Sequence, residues 1–205
     1  MKIEWLGRVA YSDALTLQEK LVAEHVEDTL LLLEHEPIYT IGRTPDQSSL
    51  RSDHLPHPVI QTNRGGQATY HGPGQLVGYP IINLNPMRRD LHHYLRTLEE
   101  LLIEVLAIYG ITAQRRDGLT GVWVEERKIA SIGVGVRKWI TMHGFALNVS
   151  SDLTGFAHIT PCGIAGVTMT SLSLELGREV SVKDFADVCA INFLTRFLPR
   201  LAMSS

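Results

Sequence analysis

The spacing of apolar and polar positions changes several times along the chain, and each change predicts an element. "KIEWLGRVA" predicts an opening strand, and Tyr11 to Val26 a helix with Leu15, Leu21, Val22 and Val26 roughly on one side. "TLLLLEH" is a short apolar run that suits a strand buried in a sheet, and "EPIYTIGR" leads out of it. From Thr44 to Pro58 the composition turns to Pro, Ser, Asp and His, which marks a surface loop. "PVIQT" is a brief strand, followed by the glycine-rich "RGGQATYHGPGQLVGYP" (Arg64 to Pro80) and then "LVGYPIINL".

The clearest helix runs from Arg88 to Tyr109. Leu91, Leu95, Leu98, Leu102, Val105 and, in the last turn, Ile108 recur at three- and four-residue steps, and Gly110 is placed to end it. "GVWVEE", "KIASIGVGV" and "WITMHGFALNV" then read as consecutive antiparallel strands with tight polar turns. Asp152 to Thr170 is irregular and contains Gly and Pro. "SVKD" (Ser181 to Asp184) resembles a capping box that opens a last helix ending near Leu198. With no internal repeat, low-complexity tract or linker, this order predicts one α/β domain with a mixed sheet over residues 1–205.

Composition narrows the function. The 205 residues are 44% hydrophobic and 20% charged, enough to fill one core. A net charge of -3 argues against general nucleic-acid binding. No apolar run, Leu30 to Leu33 among them, approaches the length of a membrane helix. The first residues lack a signal-peptide pattern and include Glu4, Asp13 and Glu19, which a transit peptide would avoid. Two cysteines make no disulfide framework, so a reducing compartment is expected, by default the cytoplasm.

The two cysteines separate on spacing. Val182, Phe185, Cys189 and Phe193 follow helical steps, so Cys189 reads as a small buried hydrophobe. Cys162 stands between Pro161 and Gly163 in "ITPCGIAG", where an unusual turn would leave its sulfur approachable. Local context leaves a structural loop cysteine and a reactive thiol both open. Reactivity needs a thiolate, and a free thiol titrates near ~8.5, so a neighbouring ammonium would have to lower that value. The glycine stretch matches neither GxxxxGK[ST] nor G-x-G-x-x-G, so phosphate cradles of those kinds are excluded. It supplies bare backbone beside Tyr70 and His71, which suits either tight turns or close approach of a ligand.

Other clusters read as surface. His54 with His57, and His92 with His93, lack cysteine or carboxylate partners at ligand spacing, so no metal site is expected. Glu99 with Glu100, and Glu125 with Glu126, read as solvated faces. Arg43, Arg64, Arg88, Arg89, Arg115 and Arg116 are candidates for a basic rim facing an acidic partner, or for scattered surface charge.

"RGGQATYHGPGQLVGYPI", "RKIASIGV", "HGFALNV" and "PCGI…VTMTSL", in this order, closely resemble the lipoyl(octanoyl) transferases. The resemblance runs from "LGRVAYSDALTLQ" to "TSLSLELG", most of the chain. It implies a single α/β (α+β) domain with a mixed, largely antiparallel sheet flanked by helices, like that of biotin and lipoate ligases and class II synthetases. It implies transfer of an octanoyl group from acyl carrier protein to a lysine of lipoyl domains, those of 2-oxoacid dehydrogenase E2 subunits and the glycine cleavage H protein. Carried over residue by residue, Cys162 matches the nucleophile and Lys128 the lysine that depresses its pKa and shuttles protons. Arg64, Gly65, Gly66, Gln67, Ala68, Thr69, Tyr70 and His71 match the substrate-binding strand. Ser131, Ile132 and Gly133, and Gly144, Phe145 and Ala146, match the other binding segments.

Because the donor carries a phosphopantetheine thioester, the resemblance implies that neither ATP nor a metal is needed. The backbone N–H of Cys162 or of its loop neighbours is the expected oxyanion donor. A monomer is expected, without nucleic-acid or membrane partners. The rival readings are an ATP-dependent lipoate or biotin ligase, a non-catalytic module that binds carrier or lipoyl domains, and a thiol hydrolase.

Overall fold

The computed structural model describes residues 1–44, 48–51, 54–86, 89–164 and 166–202, with residues 198–202 as backbone only. The chain opens with β1 (Lys2–Val9) and α1 (Tyr11–Glu24) and enters β2 (Thr29–His35). The leucine run of β2 lacks alternation because both faces of the strand are covered. Leu30 and Leu32 enter one core, and Leu31 and Leu33 another. Next come β3 (Ile38–Ile41), β4 (Val59–Gln61), β5 (Thr69–His71) and β6 (Gln75–Ile81), then α2 (Leu91–Ile108). Strands β7 (Val122–Val124), β8 (Arg127–Arg137) and β9 (Ile140–Asn148) follow, and β10 (Thr168–Met169), α3 (Leu172–Leu176) and α4 (Val182–Ala202) complete the order.

The main sheet runs β1-β2-β6-β9-β8-β10, with β7 also paired to β8. Its pairs are antiparallel except β1 with β2 and β10 with β8. Helices α2 and α4 cover one face: Leu98, Leu102, Phe185, Cys189 and Phe193 share a core with Ile129, Phe145 and Leu147. On the other face Ala14 of α1 meets Leu31, Val77 and Ala146. This is the expected α/β domain with a mixed, largely antiparallel sheet. A second sheet, β4-β3-β5, holds a cluster of Tyr39, Ala68, Tyr70, Phe156 and Ile159. Sequence pattern did not separate it from the first. No helix among the described residues is long and apolar enough to cross a membrane.

Several boundaries differ from expectation. α1 stops at Glu24, because His25 turns to φ 22° and leaves Val26 91% exposed. α2 starts at Leu91, where the Asp90 carboxylate accepts the His93 N–H. Arg88, the expected start, lies outside the described residues. Ile108 is 60% exposed, and Tyr109 instead packs on Phe185. The expected surface loop holds a buried anchor: Ser49 accepts the Ala68 N–H on its hydroxyl and the Thr160 N–H on its carbonyl. At Ser181 the hydroxyl accepts the Asp184 N–H, the forward bond of the expected capping box.

Candidate active site

Cys162 sits at the centre of a one-turn 3-10 segment, Pro161–Gly163, with φ 55° and ψ 19°. Left-handed backbone costs a non-glycine residue about 1–2 kcal/mol, so something must hold it. The Cys162 N–H donates to Ala68 O at 3.0 Å, tying the turn to the entrance of β5. Gly163 and Ile164 donate to Thr160 and Pro161. A Cβ at Gly163 would fall 2.2 Å from Gln67 Oε1, so the Gln67 side chain lies directly against the turn. The N–H groups of Cys162, Gly163 and Ile164, three of the expected oxyanion donors, are therefore already committed.

Lys128 arrives from β8 through a local defect. Val122 pairs with Ala130 but its neighbour Trp123 pairs with Lys128, so β8 carries Ile129 as an extra residue. Such a bulge resets the two-residue alternation. Lys128 and Ser131, three apart, thereby reach the same sulfur. Lys128 Nζ lies 3.3 Å from Cys162 Sγ and donates to Thr120 O at 3.1 Å. Ser131 Oγ is 3.7 Å from the sulfur. The lysine is fully buried, with the Trp123 ring 5.3 Å from its Nζ.

A cavity of about 380 Å³ opens in front of this pair, within the range of small-ligand sites, roughly 300–1,000 Å³. It lies where β5 and the preceding loop meet β6, β8, β9 and the start of α2. Leu91, Leu95, Val77, Ile132, Phe145 and Ile164 give it apolar walls, and Tyr11, Tyr79 and His143 are polar members. Thr69 Oγ1, on the same wall, is buried without a partner among the described residues.

Burial pushes the Cys162 thiol up, but the Lys128 ammonium, the Ser131 hydroxyl and the Arg64 guanidinium outweigh it. The net effect holds the thiol below its ordinary value. Burial alone pushes Cys189 up to about 12. Three histidines beside the cavity are kept neutral. Burial lowers His71 to about 3, helped by the nearby His35 and outweighing the Gln75 bond that favours its charged form. His35 falls to about 4, against a raising bond to Val9 O, and His143 to about 4 with help from Arg64 and Arg43.

Of the residues singled out from sequence, Arg64, Gly65, Gly66, Thr69 and His71 line the cavity with Cys162. So do Ser131, Ile132, Gly133, Gly144, Phe145 and Ala146. Lys128, which reaches Cys162 from behind the wall, does not, nor do Gln67, Ala68 and Tyr70. Alternation along β5 turns Tyr70 away to pack at a tilt against Tyr39 and edge-on to Phe156, while Ala68 and Gln67 support the cysteine turn. Arg64 is not part of a rim: it is 8% exposed and donates to Thr40 O and Oγ1. Arg43, Arg89 and Arg115 are exposed, Arg116 is half-buried against Trp123, and Arg88 lies outside the described residues.

His54, His92 and His93 are exposed, His57 packs between Tyr39 and Tyr70, and no metal-holding cluster occurs among the described residues. Sequence reasoning missed Thr120, Tyr11, Tyr79 and His143. The position of His143 beside Gly144 in "HGFALNV" was the one signal that could have found it.

The sequence matches the family described as "Lipoyl protein ligase A/B catalytic domain" over residues 10–194. It is 54% identical over 186 residues to the octanoyltransferase of Syntrophotalea carbinolica, covering 89% of this chain and 87% of that protein. Against the octanoyltransferase of Geobacter sulfurreducens it is 52% identical over 197 residues, covering 94% and 83%. Among solved structures, a putative lipoate protein ligase from Thermoplasma acidophilum superposes with a TM-score of 0.71 at 16% identity, over 96% of this chain and 86% of that one. A biotin protein ligase from Aquifex aeolicus gives 0.53 at 16% identity, over 96% and 68%. These two likenesses speak to the fold alone. Family match and sequence identity together place this chain in the lipoyl protein ligase A/B catalytic family.

Proposed function

We propose that the protein is an octanoyltransferase of protein lipoylation, acting through an acyl thioester on Cys162. The donor is octanoyl-acyl carrier protein. The acceptor is a lysine of a lipoyl domain, in 2-oxoacid dehydrogenase E2 subunits or the glycine cleavage H protein. The observation that most supports the mechanism is the 3.3 Å contact between Lys128 Nζ and Cys162 Sγ at the wall of an apolar cavity. The substrate class is supported by relatives named octanoyltransferase that are about half identical over most of the chain.

The Cys162 thiolate attacks the donor carbonyl and forms a tetrahedral oxyanion. With the N–H groups of Cys162, Gly163 and Ile164 committed, the Thr69 hydroxyl, unpartnered among the described residues on the same cavity wall, is a donor for that oxygen. Collapse breaks the donor C–S bond, and Lys128 gives its proton to the departing thiolate. A neutral lysine of the acceptor then attacks octanoyl-Cys162 and loses a proton to neutral Lys128. The C–N bond forms, the C–Sγ bond breaks, and the thiolate–ammonium pair is restored. Arg64 to His71, Ser131 to Gly133 and Gly144 to Ala146 hold the acyl chain, with Gln67, Ala68 and Tyr70 acting from behind. No ATP or metal enters, because the thioester is already activated.

Intact-protein mass spectrometry after mixing with octanoyl-acyl carrier protein, without ATP, tests this. Wild type gains a hydroxylamine-labile octanoyl group that a lipoyl domain discharges onto its lysine, and Cys162→Ala gains none. Transfer that occurs only with ATP, and without an adduct, would replace this reading with that of a ligase.

A further inference from the structure

α2 buries a carboxylate that its sequence made look solvated. Glu99 is 0% exposed, on the side of the helix that also buries Leu98, Leu101 and Leu102. An ion in such a place is costly unless both oxygens find donors. Glu99 Oε2 accepts from Arg96 Nη1 at 2.7 Å, and Oε1 accepts the Gly121 N–H at 2.9 Å.

That N–H is one end of the Thr120–Gly121 peptide unit. Its other end, the Thr120 carbonyl, accepts from Lys128 Nζ at 3.1 Å, and the same Nζ touches Cys162 Sγ at 3.3 Å. A peptide unit is planar and stiff, so holding its N–H aims its C=O. Gly121 has φ 131°, and a Cβ there would fall 2.6 Å from Ala130 O and 2.7 Å from Lys128 Cε. Only glycine lets this peptide lie so close to the lysine.

We propose that Glu99 is a positioning residue: by gripping the Gly121 N–H it aims the Thr120 carbonyl, which holds the Lys128 ammonium against the Cys162 sulfur. The inference rests on Cys162 and Lys128 being the reacting pair, and not on which acyl group they transfer. Arg96, the other partner of the carboxylate, is 44% exposed and does not reach the site through this bond.

The test is the pH dependence of Cys162 alkylation by iodoacetamide, with peptide mapping that reads Cys162 and Cys189 separately. Cys189 is fully buried, so its alkylation reports unfolding. Lys128→Met should raise the Cys162 midpoint by roughly one to three pH units, the usual effect of losing a contacting opposite charge. Glu99→Leu, which removes the acceptor, should raise it in the same direction. Glu99→Asp, which keeps the charge but falls one methylene short, should do so as well. Glu99→Gln keeps the reach without the charge and should titrate close to wild type.

A folded Leu or Asp variant with the wild-type midpoint overturns the proposal, as does a Gln variant shifted as far as Leu. Should Glu99→Leu unfold, the Asp and Gln pair decides, and identical midpoints in those two overturn it. An unmoved midpoint in Lys128→Met would instead sink the Cys162–Lys128 pair itself. A shift there without one in the Glu99 variants removes Glu99 alone.

Discussion

Cys162 and Cys189 have the same side chain, yet one is held below the ordinary thiol value and the other far above it. Both are opposed by burial, and only Cys162 has a cation and a hydroxyl within reach of its sulfur. Ser131→Ala should therefore raise the alkylation midpoint of Cys162, but by less than Lys128→Met, because a hydrogen bond is lost and a full charge is kept. A midpoint that falls or stays would show that the hydroxyl does not face the thiolate. Cys189→Ser should cost about 1–3 kcal/mol in urea unfolding, since it replaces a buried thiol with a more strongly hydrated hydroxyl in the α4 core. Helical spacing alone separated these two cysteines. The reading of Glu99 and Glu100 as a solvated pair held for Glu100 and failed for Glu99, because the partner that explains Glu99 stands 22 residues away at Gly121.

The elements bring these side chains together through their ends and irregularities more than through their regular parts. Periodicity revealed β8 and α2, whereas the extra residue at Ile129 leaves no mark in an apolar run such as "KIASIGV". That bulge nevertheless decides that Lys128 and Ser131 share a target. At the start of α2, Leu91 and Leu95 both line the cavity, so fraying there would loosen its wall. Asp90→Ala removes the cap on His93 N–H and should cost about 1 kcal/mol, read as a lowered urea midpoint at constant slope. The donor KM should rise as the first turn loosens. An unchanged urea midpoint would mean that the Asp90 carboxylate contributes nothing net to the helix start.

The whole molecule stores its sensitivity to acid in the histidines around the cavity. His35, His71 and His143 are lowered to about 4, 3 and 4, whereas an unfolded histidine titrates near ~6.5. Between those values the unfolded chain binds protons that the folded one refuses. Stability is therefore complete above about pH 6.5 and falls as the pH drops toward 4, with a slope approaching three protons, roughly 4 kcal/mol per pH unit at most. Urea unfolding from pH 7 to pH 5 reads this directly. His35→Gln should remove about one proton from the slope, and a stability that is flat over this range would refute the neutral cluster.

The sequence by itself determined the longer elements, the burial of β2, the helical burial of Cys189 and, through its motifs, the family. Those properties depend on near neighbours and on local period. Tertiary structure alone decided that Lys128 meets Cys162 across 34 residues, that Tyr70 turns away from the cavity while Thr69 and His71 face it, and that a buried carboxylate holds the Thr120–Gly121 peptide. Each of these is a contact between distant segments, set by sheet register, a bulge and a shared peptide plane. No local pattern of residue types encodes such geometry.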